Sequence, residues 1–479
     1  MLKALKNDKI TAAVGAAHSL QALVFLSFVL GGSARPEVVS LSPLRAIAAL
    51  LLGVGLATLH WRHVKTYAPL TILAFACCLL PLSHLVPLPP GTANALPGHA
   101  VIATLDAQAN LGAVWRPLTV TPEATRNALW SLLIPCAALA LSIQIAQPRQ
   151  KGVAVLVLAM GLISGVIGLL QTQSDSHGVL YFYETTNNGS AVGLFANRNH
   201  QAVFLACLFP LMVAALDLHR SGDAGVSRPD QGRTLMRQVK WAGAGGAALF
   251  LMLLILVTGS RAGLALGVFG LACTPFVAHV GTRSSRGTSP RTPRLVLAVS
   301  LVAMSVVVAL AIWLRRAVAI ERLLGTDAAA DMRLRILPTV QEITQAFWPW
   351  GSGLGSFEKI YQVFEPANLL APSYMNHAHN DWLELILTGG VPSLVLVALG
   401  VLIWLSCAVK LVFGRAADPL SPLRKAGLVI VLILALASLT DYPLRTPALS
   451  CLLVLASVWA AMPVQRPGDK PAADKGARS

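Results

Sequence analysis

Apolar runs of about 20 residues recur along most of the chain, separated by short polar stretches. Wound as a helix at about 1.5 Å per residue, such a run matches the hydrocarbon thickness of a bilayer. The pattern predicts an all-α polytopic membrane protein with twelve spans, near residues 11–31, 43–60, 67–86, 127–146, 152–171, 199–217, 241–258, 262–280, 295–314, 389–409, 426–440 and 446–463. The eleventh is short: it either tilts little or stops where Asp441 and Arg445 surface. Residues 1–479 then form one membrane domain, and the polar tail 464–479 is expected to be disordered and cytoplasmic.

Two connections are long, residues 87–126 and 315–378. Within the second, AVAIERLL predicts a short helix. In DMRLRILPTVQEITQAFWPW, the residues Ile336, Val340, Ile343 and Phe347 recur at helical spacing, which predicts an amphipathic helix lying along the membrane surface. GSGLGS then interrupts it.

Composition agrees with this picture. The chain is 55% hydrophobic with a mean hydropathy of +0.66, and only 12% of its residues are charged, about half the share of a soluble domain. The net charge of +16 acquires a location once the spans are drawn. With the N-terminus inside, the cytoplasmic connections hold 24 Lys and Arg and the outer ones 13, six of them in the 315–378 connection, which positive-inside counting discounts. The bias places both termini in the cytoplasm. The basic stretches VSRPDQGRTLMRQVK and GTRSSRGTSPRTPR then face lipid headgroups on the inner side, not nucleic acid. The basic N-terminus lacks a small-residue cleavage site and reads as a retained first span. All seven cysteines fall in apolar runs without a CxxC, as small buried hydrophobes do.

Four polar constellations fall at the outer face. GLFANRNHQA brings Asn197, Arg198, Asn199 and His200 to the mouth of the sixth span; the asparagines can cap a helix, while Arg198 and His200 add donors for an anion. TGSRAG connects spans seven and eight. Its Arg261 is the only charge between Lys240 and Arg283; it either snorkels to headgroups or joins Ser260 and free backbone amides around an anion. DMRLR holds Asp331, Arg333 and Arg335, either a solvated face or guanidinium forks suited to phosphate. Twelve of the 13 outer cations are arginine.

The fourth stretch is NHAHNDWLEL, residues 376–385. In a helix beginning before residue 377, His377, Asn380, Asp381 and Glu384 share one side and His379 lies opposite. If Asn380 is instead the N-cap, His379 precedes the helix and can point into a cleft. HxH with nearby carboxylates is also a conceivable zinc set, but HExxH and cysteine ligands are lacking, so no metal and no cofactor is expected. The chain has no phosphate-binding loop, dinucleotide fingerprint or GxSxG elbow. Outer-face arginines beside a histidine pair point to group transfer from a lipid phosphate or diphosphate, the imidazole removing a proton from the acceptor. A twelve-span transporter would instead show two similar halves and polar residues at mid-membrane.

GLFANRNHQAVFLACLFPL, LVTGSRAGLALG, DMRLRILPTVQEITQAFWPWGSGLGSFEKIY and NHAHNDWLELILTGGVPSL, with WRPLTVTPEATRNALW before them, resemble the O-antigen ligase and O-antigen polymerase superfamily. The His379–Asn380 pair spaced nine residues from Gly390, and the large outer loop before it, are the most specific parts. The resemblance implies a membrane glycosyltransferase of GT-C-like architecture in the bacterial inner membrane, with its active site facing the periplasm. Its donor would be an undecaprenyl diphosphate-linked glycan. A ligase passes the glycan to lipid A–core, and an O-antigen or exopolysaccharide polymerase passes it to a lipid-linked glycan. The family's histidine maps to His379 and its two arginines to Arg261 and Arg333, with Arg335 as the alternative to Arg333. Catalysis would be inverting and metal-independent. Arg198 would join the diphosphate, Asn380 and Asp381 would orient His379, and Asn197, Asn199, His200, Ser260, His377 and Glu384 would line the site. WPWGSG, where many members have Pro-x-x-Gly, and Leu337, where tryptophan is common, depart from the family pattern.

Overall fold

We describe a computed structural model over residues 2–175, 178–183, 187, 189–218, 231–278, 328–370, 374–413 and 420–464. The expected span at 295–314, the AVAIERLL helix, the connection 281–294 and the tail from residue 465 lie outside the described residues. So do residues 219–230 and 414–419 of two further connections.

The regular elements among the described residues are helices, apart from a two-residue antiparallel ribbon pairing Pro87 with Pro117 and Leu88 with Arg116. Four helices are long and apolar enough to cross a membrane: Pro122–Ser142, Arg149–Gln171, Arg198–Leu216 and Asp381–Phe413. Six shorter apolar helices accompany them: Gly15–Leu30, Leu41–Ala57, Ala68–His84, Gly243–Thr258, Arg261–Val277 and Pro447–Ala461. Length alone does not turn the shorter ones into spans.

Helix Arg198–Leu218 is the axis of the bundle. Its residues from His200 to Leu211 are buried without a break. Helices Gln147–Gln171, Gln231–Thr258, Arg261–Ala272 and Ser421–Ala437 pack around it. Close approach uses small residues: a side chain at Gly263 would collide with Ala202, and one at Gly270 with the Ala206 carbonyl. Such contacts let helix backbones gain dispersion energy without a solvent-driven hydrophobic term. Helices Leu2–Leu30, Leu133–Ser142 and Pro447–Ala461 complete the same core.

The 315–378 connection corrects one expectation. Its described part folds into helices Ala328–Arg335, Leu337–Ala346 and Phe357–Phe364. Ile336, Val340, Ile343 and Phe347 do share a face, but that face is turned into protein. It packs with Phe357, Tyr361, Leu369, Ala378 and Leu387 in a second apolar core. An amphipathic stripe must be covered by something apolar, and here the covering is another helix, not lipid. The run is also divided at Ile336, where Pro338 suits the first turn of a new helix and not the interior of an old one.

This subdomain is joined to the bundle at a break in helix Asp381–Phe413. Gly390 has φ 57° and ψ −149°, so hydrogen bonding along the helix stops there. The released carbonyls of Leu387 and Thr388 accept from Ser352 N at 3.1 Å and Gly353 N at 2.9 Å. Val391 N in turn donates to the Pro349 carbonyl at 2.8 Å. The WPWGSG segment therefore satisfies the backbone groups that the break exposes, as buried peptide groups require. Leu354 also ties this region to the first long connection, its carbonyl accepting from Thr125 Oγ1 at 2.8 Å, and to the end of helix Ala68–His84, its N–H donating to His84 Nδ1 at 3.2 Å.

Gly390 carries a direct prediction. A Cβ there would meet the Pro349 carbonyl at a positive φ. Gly390→Ala should cost about 2 kcal/mol or more, read as a fall in melting temperature in detergent. Gly91→Ala, where an added Cβ meets nothing within 4 Å, should change it little.

Candidate active site

Asn380 begins the polar end of helix Asp381–Phe413 as an N-cap. Its Oδ1 accepts from Trp382 N at 3.0 Å and Leu383 N at 3.1 Å. His379 thus precedes the helix, the second of the two arrangements set out above. It adopts φ +50°, one of two non-glycine residues that do so among those described. Histidine tolerates this region better than most residues, yet the conformation is still costly and tends to persist where a site demands it.

The His379 side chain reaches a residue not named among the sequence candidates. Its Nδ1 lies 3.3 Å from Oδ1 of Asp441, in the short connection between helices Ser421–Ala437 and Pro447–Ala461. Asp441 does not surface as expected; it is 3% exposed. It can be buried because many donors meet it. Asn199 Nδ2 donates at 2.7 Å and Asn197 Nδ2 at 3.3 Å. Its own Oδ1 accepts from Tyr442 N at 3.0 Å. Arg333 Nη2 stands at 3.8 Å and His200 Nε2 at 3.9 Å. Burial alone would raise the Asp441 carboxyl, but the His379 hydrogen bond and the charges of His200, His379 and Arg333 hold it well below the usual carboxylate range.

Asn197 combines both roles considered for it. Its Oδ1 accepts from Asn199 N at 2.8 Å at the start of helix Arg198–Leu218, while its amide turns to Asp441. His200 is fully buried, and among the described residues neither ring nitrogen makes a hydrogen bond. Its ring meets Tyr442 edge-on at 5.2 Å. Tyr442 also lies 4.4 Å from the His377 ring and 5.0 Å from the His379 ring, so one phenol organises three imidazoles.

A second ionic cluster adjoins the first. His377 Nδ1 lies 3.1 Å from Glu384, which also accepts from Ala378 N at 2.9 Å. Arg445 spans Glu384 at 3.1 Å and Asp381 at 3.0 Å, and Ser438 Oγ donates to Asp381 at 3.2 Å. Asp381 therefore does not orient His379 as expected. Its place at the first helical position turns it toward Arg445, and Asp441 occupies the position beside the imidazole.

The remaining arginines sit as follows. Arg261 opens helix Arg261–Ala272, exposed, after Ser260, whose Oγ caps Gly263 N at 3.0 Å. Gly263 abuts Ala202, so Ser260 and Arg261 lie close to the helix end that bears Asn199 and His200. Arg198 is half-buried and Arg335 is exposed. Arg333 pairs with Asp441. Its Nε is buried without a hydrogen-bond partner among the described residues, which leaves a donor unused. Among the described residues no group of three His, Cys, Asp or Glu has metal-binding geometry.

Residues 246–398 match the family model described as O-antigen ligase. Over that segment, about a third of its length, the chain is similar to the O-antigen ligase family. Comparison with curated proteins returns no match. The matched segment contains Arg261, Arg333, His377, His379 and Glu384, whereas Asn197, His200, Asp441 and Arg445 lie outside it. The fold brings the two sets together. Asp441 and Arg445 were legible only as charges in an apolar C-terminal region; their separation from His379 by about 60 positions hid the pairing.

Two outcomes follow. Arg445→Met leaves Asp381 and Glu384 buried without their cation and should cost about 3–5 kcal/mol, seen as poor recovery of folded protein from detergent. Arg445 itself keeps 23% of its side chain exposed, so the larger share of that cost falls on the buried carboxylates. The second concerns pH. Because the folded-state pKa of Asp441 is depressed, its stabilisation is complete above the unfolded value of about 3.9 and is lost only as pH falls from there through the folded value. The stability that wild type owes to the Asp441 carboxylate should shrink as pH falls below about 3.9, read as a narrowing difference in melting temperature from Asp441→Asn.

Proposed function

We propose that this chain is a membrane glycosyltransferase of the O-antigen ligase type. It moves a glycan from undecaprenyl diphosphate to a sugar hydroxyl at the periplasmic face of the bacterial inner membrane. About twelve spans in a GT-C-like arrangement, with both termini in the cytoplasm, would place His379, Asp441 and Arg333 at the outer boundary.

The observation that carries this reading is the His379–Asp441 pair. A carboxylate only accepts hydrogen bonds, so Asp441 fixes the proton on Nδ1 and leaves a lone pair on Nε2. Among the described residues Nε2 makes no hydrogen bond, and the His379 side chain is 23% exposed. That is the tautomer and access a general base needs. In the reaction, the acceptor oxygen bonds to the anomeric carbon as the bond to the diphosphate oxygen breaks. The bonding pair leaves with the diphosphate, and the hydroxyl proton passes to His379 Nε2.

Arg333 and Arg261, with Arg198, neutralise the charge that builds on the leaving diphosphate; Arg335 is the alternative to Arg333. Fixed guanidinium groups stabilise such charge without reorganising at the moment of transfer. Asn380 holds His379 at the helix mouth by capping the helix. Asn197 and Asn199 hold Asp441. Ser260, His200, His377 and Glu384 complete the walls.

His379→Ala should lower transfer by about 100- to 10,000-fold with membrane accumulation unchanged. Asp441→Asn should lower kcat comparably with little change in KM for the donor, because the tautomer and not binding is lost. A fully active His379→Ala enzyme would refute the assignment. Purified protein given a lipid-diphosphate glycan and two acceptors, lipid A–core and a second lipid-linked glycan, separates ligase from polymerase by which product grows.

A further inference from the structure

The two histidines of the 374–380 segment are built alike, and the mechanism above uses one of them. His379 is held by Asp441, and His377 is held through Nδ1 by Glu384 at 3.1 Å. The supporting carboxylate of His377 is itself braced by Arg445 and by the Ala378 amide. By the same tautomer argument, His377 carries its proton on Nδ1 and a lone pair on Nε2. Nε2 has no hydrogen bond among the described residues, and the side chain keeps 14% of its surface exposed. Burial lowers the His377 pKa, only partly offset by Glu384, so the ring is neutral near pH 7. Both rings lie on the Tyr442 phenol, at 4.4 and 5.0 Å.

We propose that His377 binds the acceptor: its Nε2 accepts a hydrogen bond from the hydroxyl adjacent to the one that His379 deprotonates, so the site recognises a vicinal diol on the acceptor sugar. The inference rests on His379 acting as the base. A neutral imidazole showing a lone pair repels phosphate oxygens and suits an O–H donor, so His377 belongs to the acceptor side and not to the diphosphate. Two lone pairs ordered by one aromatic ring are complementary to two neighbouring O–H groups. A sugar lacking the second hydroxyl would leave a desolvated acceptor unpaired.

The test uses full-length protein, the lipid-diphosphate donor, and lipid A–core and lipid-linked acceptors whose terminal sugar is deoxygenated one position at a time. With wild type, loss of one hydroxyl next to the attacking position should lower kcat/KM about 10- to 100-fold. His377→Ala should lose a similar factor on the parent acceptor and nothing further on that deoxy acceptor. His377→Gln, which keeps an acceptor oxygen, should recover part of the loss, and donor affinity should be unchanged throughout. Indifference of the wild type to both neighbouring hydroxyls overturns the proposal, and this arm needs no variant to fold. A His377→Ala enzyme that still shows the full deoxy penalty overturns it as well. Failure of every acceptor, parent compounds included, overturns instead the reading of the site as a glycosyltransferase.

Discussion

A carboxylate that is 3% exposed cannot stay ionised unless donors are brought to it, and the arrangement of this molecule around Asp441 meets that requirement. The donors come from four separate parts of the chain. Asn197 and Asn199 arrive from the start of one helix, His379 from the turn before another, Arg333 from helix Ala328–Arg335, and a backbone amide from Tyr442 beside it. Removing any one element would leave the charge less compensated. Asp441 thus couples the positions of several helix ends, and a demand of solvation becomes a demand of site geometry.

The Arg445 cluster supports the same end of the bundle by a related balance. Two buried carboxylates, Asp381 and Glu384, would repel each other one helical turn apart. The guanidinium between them turns that repulsion into a clamp on the first turn of helix Asp381–Phe413. The break at Gly390 then lets this polar turn keep an orientation different from the apolar remainder, with WPWGSG satisfying the freed backbone. The clamp, the break and the N-cap at Asn380 together leave His379 in a left-handed conformation, its Nδ1 edge held by Asp441 and its ring packed on Tyr442.

Tyr442 shows how packing and polarity cooperate here. Burial and the neighbouring Asp441 charge push its phenol pKa up, so it remains a neutral aromatic surface. Three imidazoles lie against that surface, each given a different partner: Asp441 for His379, Glu384 for His377, and no hydrogen-bonding partner among the described residues for His200. Similar side chains thereby acquire different chemical capacities from their surroundings alone.

What could be read from the chain itself was whatever depends on local order. Apolar runs located helices, Asn380 was one of two possible starts for one of them, and the resemblance of residues around Arg261, Arg333 and His379 agrees with the ligase-type match over residues 246–398. The helical spacing of Ile336, Val340, Ile343 and Phe347 was equally legible, but not what would cover it, because periodicity reports a face and not its partner. Asp381, adjacent to His379 in sequence, was the natural orienting carboxylate. Only the tertiary structure exchanged it for Asp441, about 60 positions away. A helix directs neighbouring side chains around its circumference, whereas close approach of helix ends joins residues that no local pattern connects.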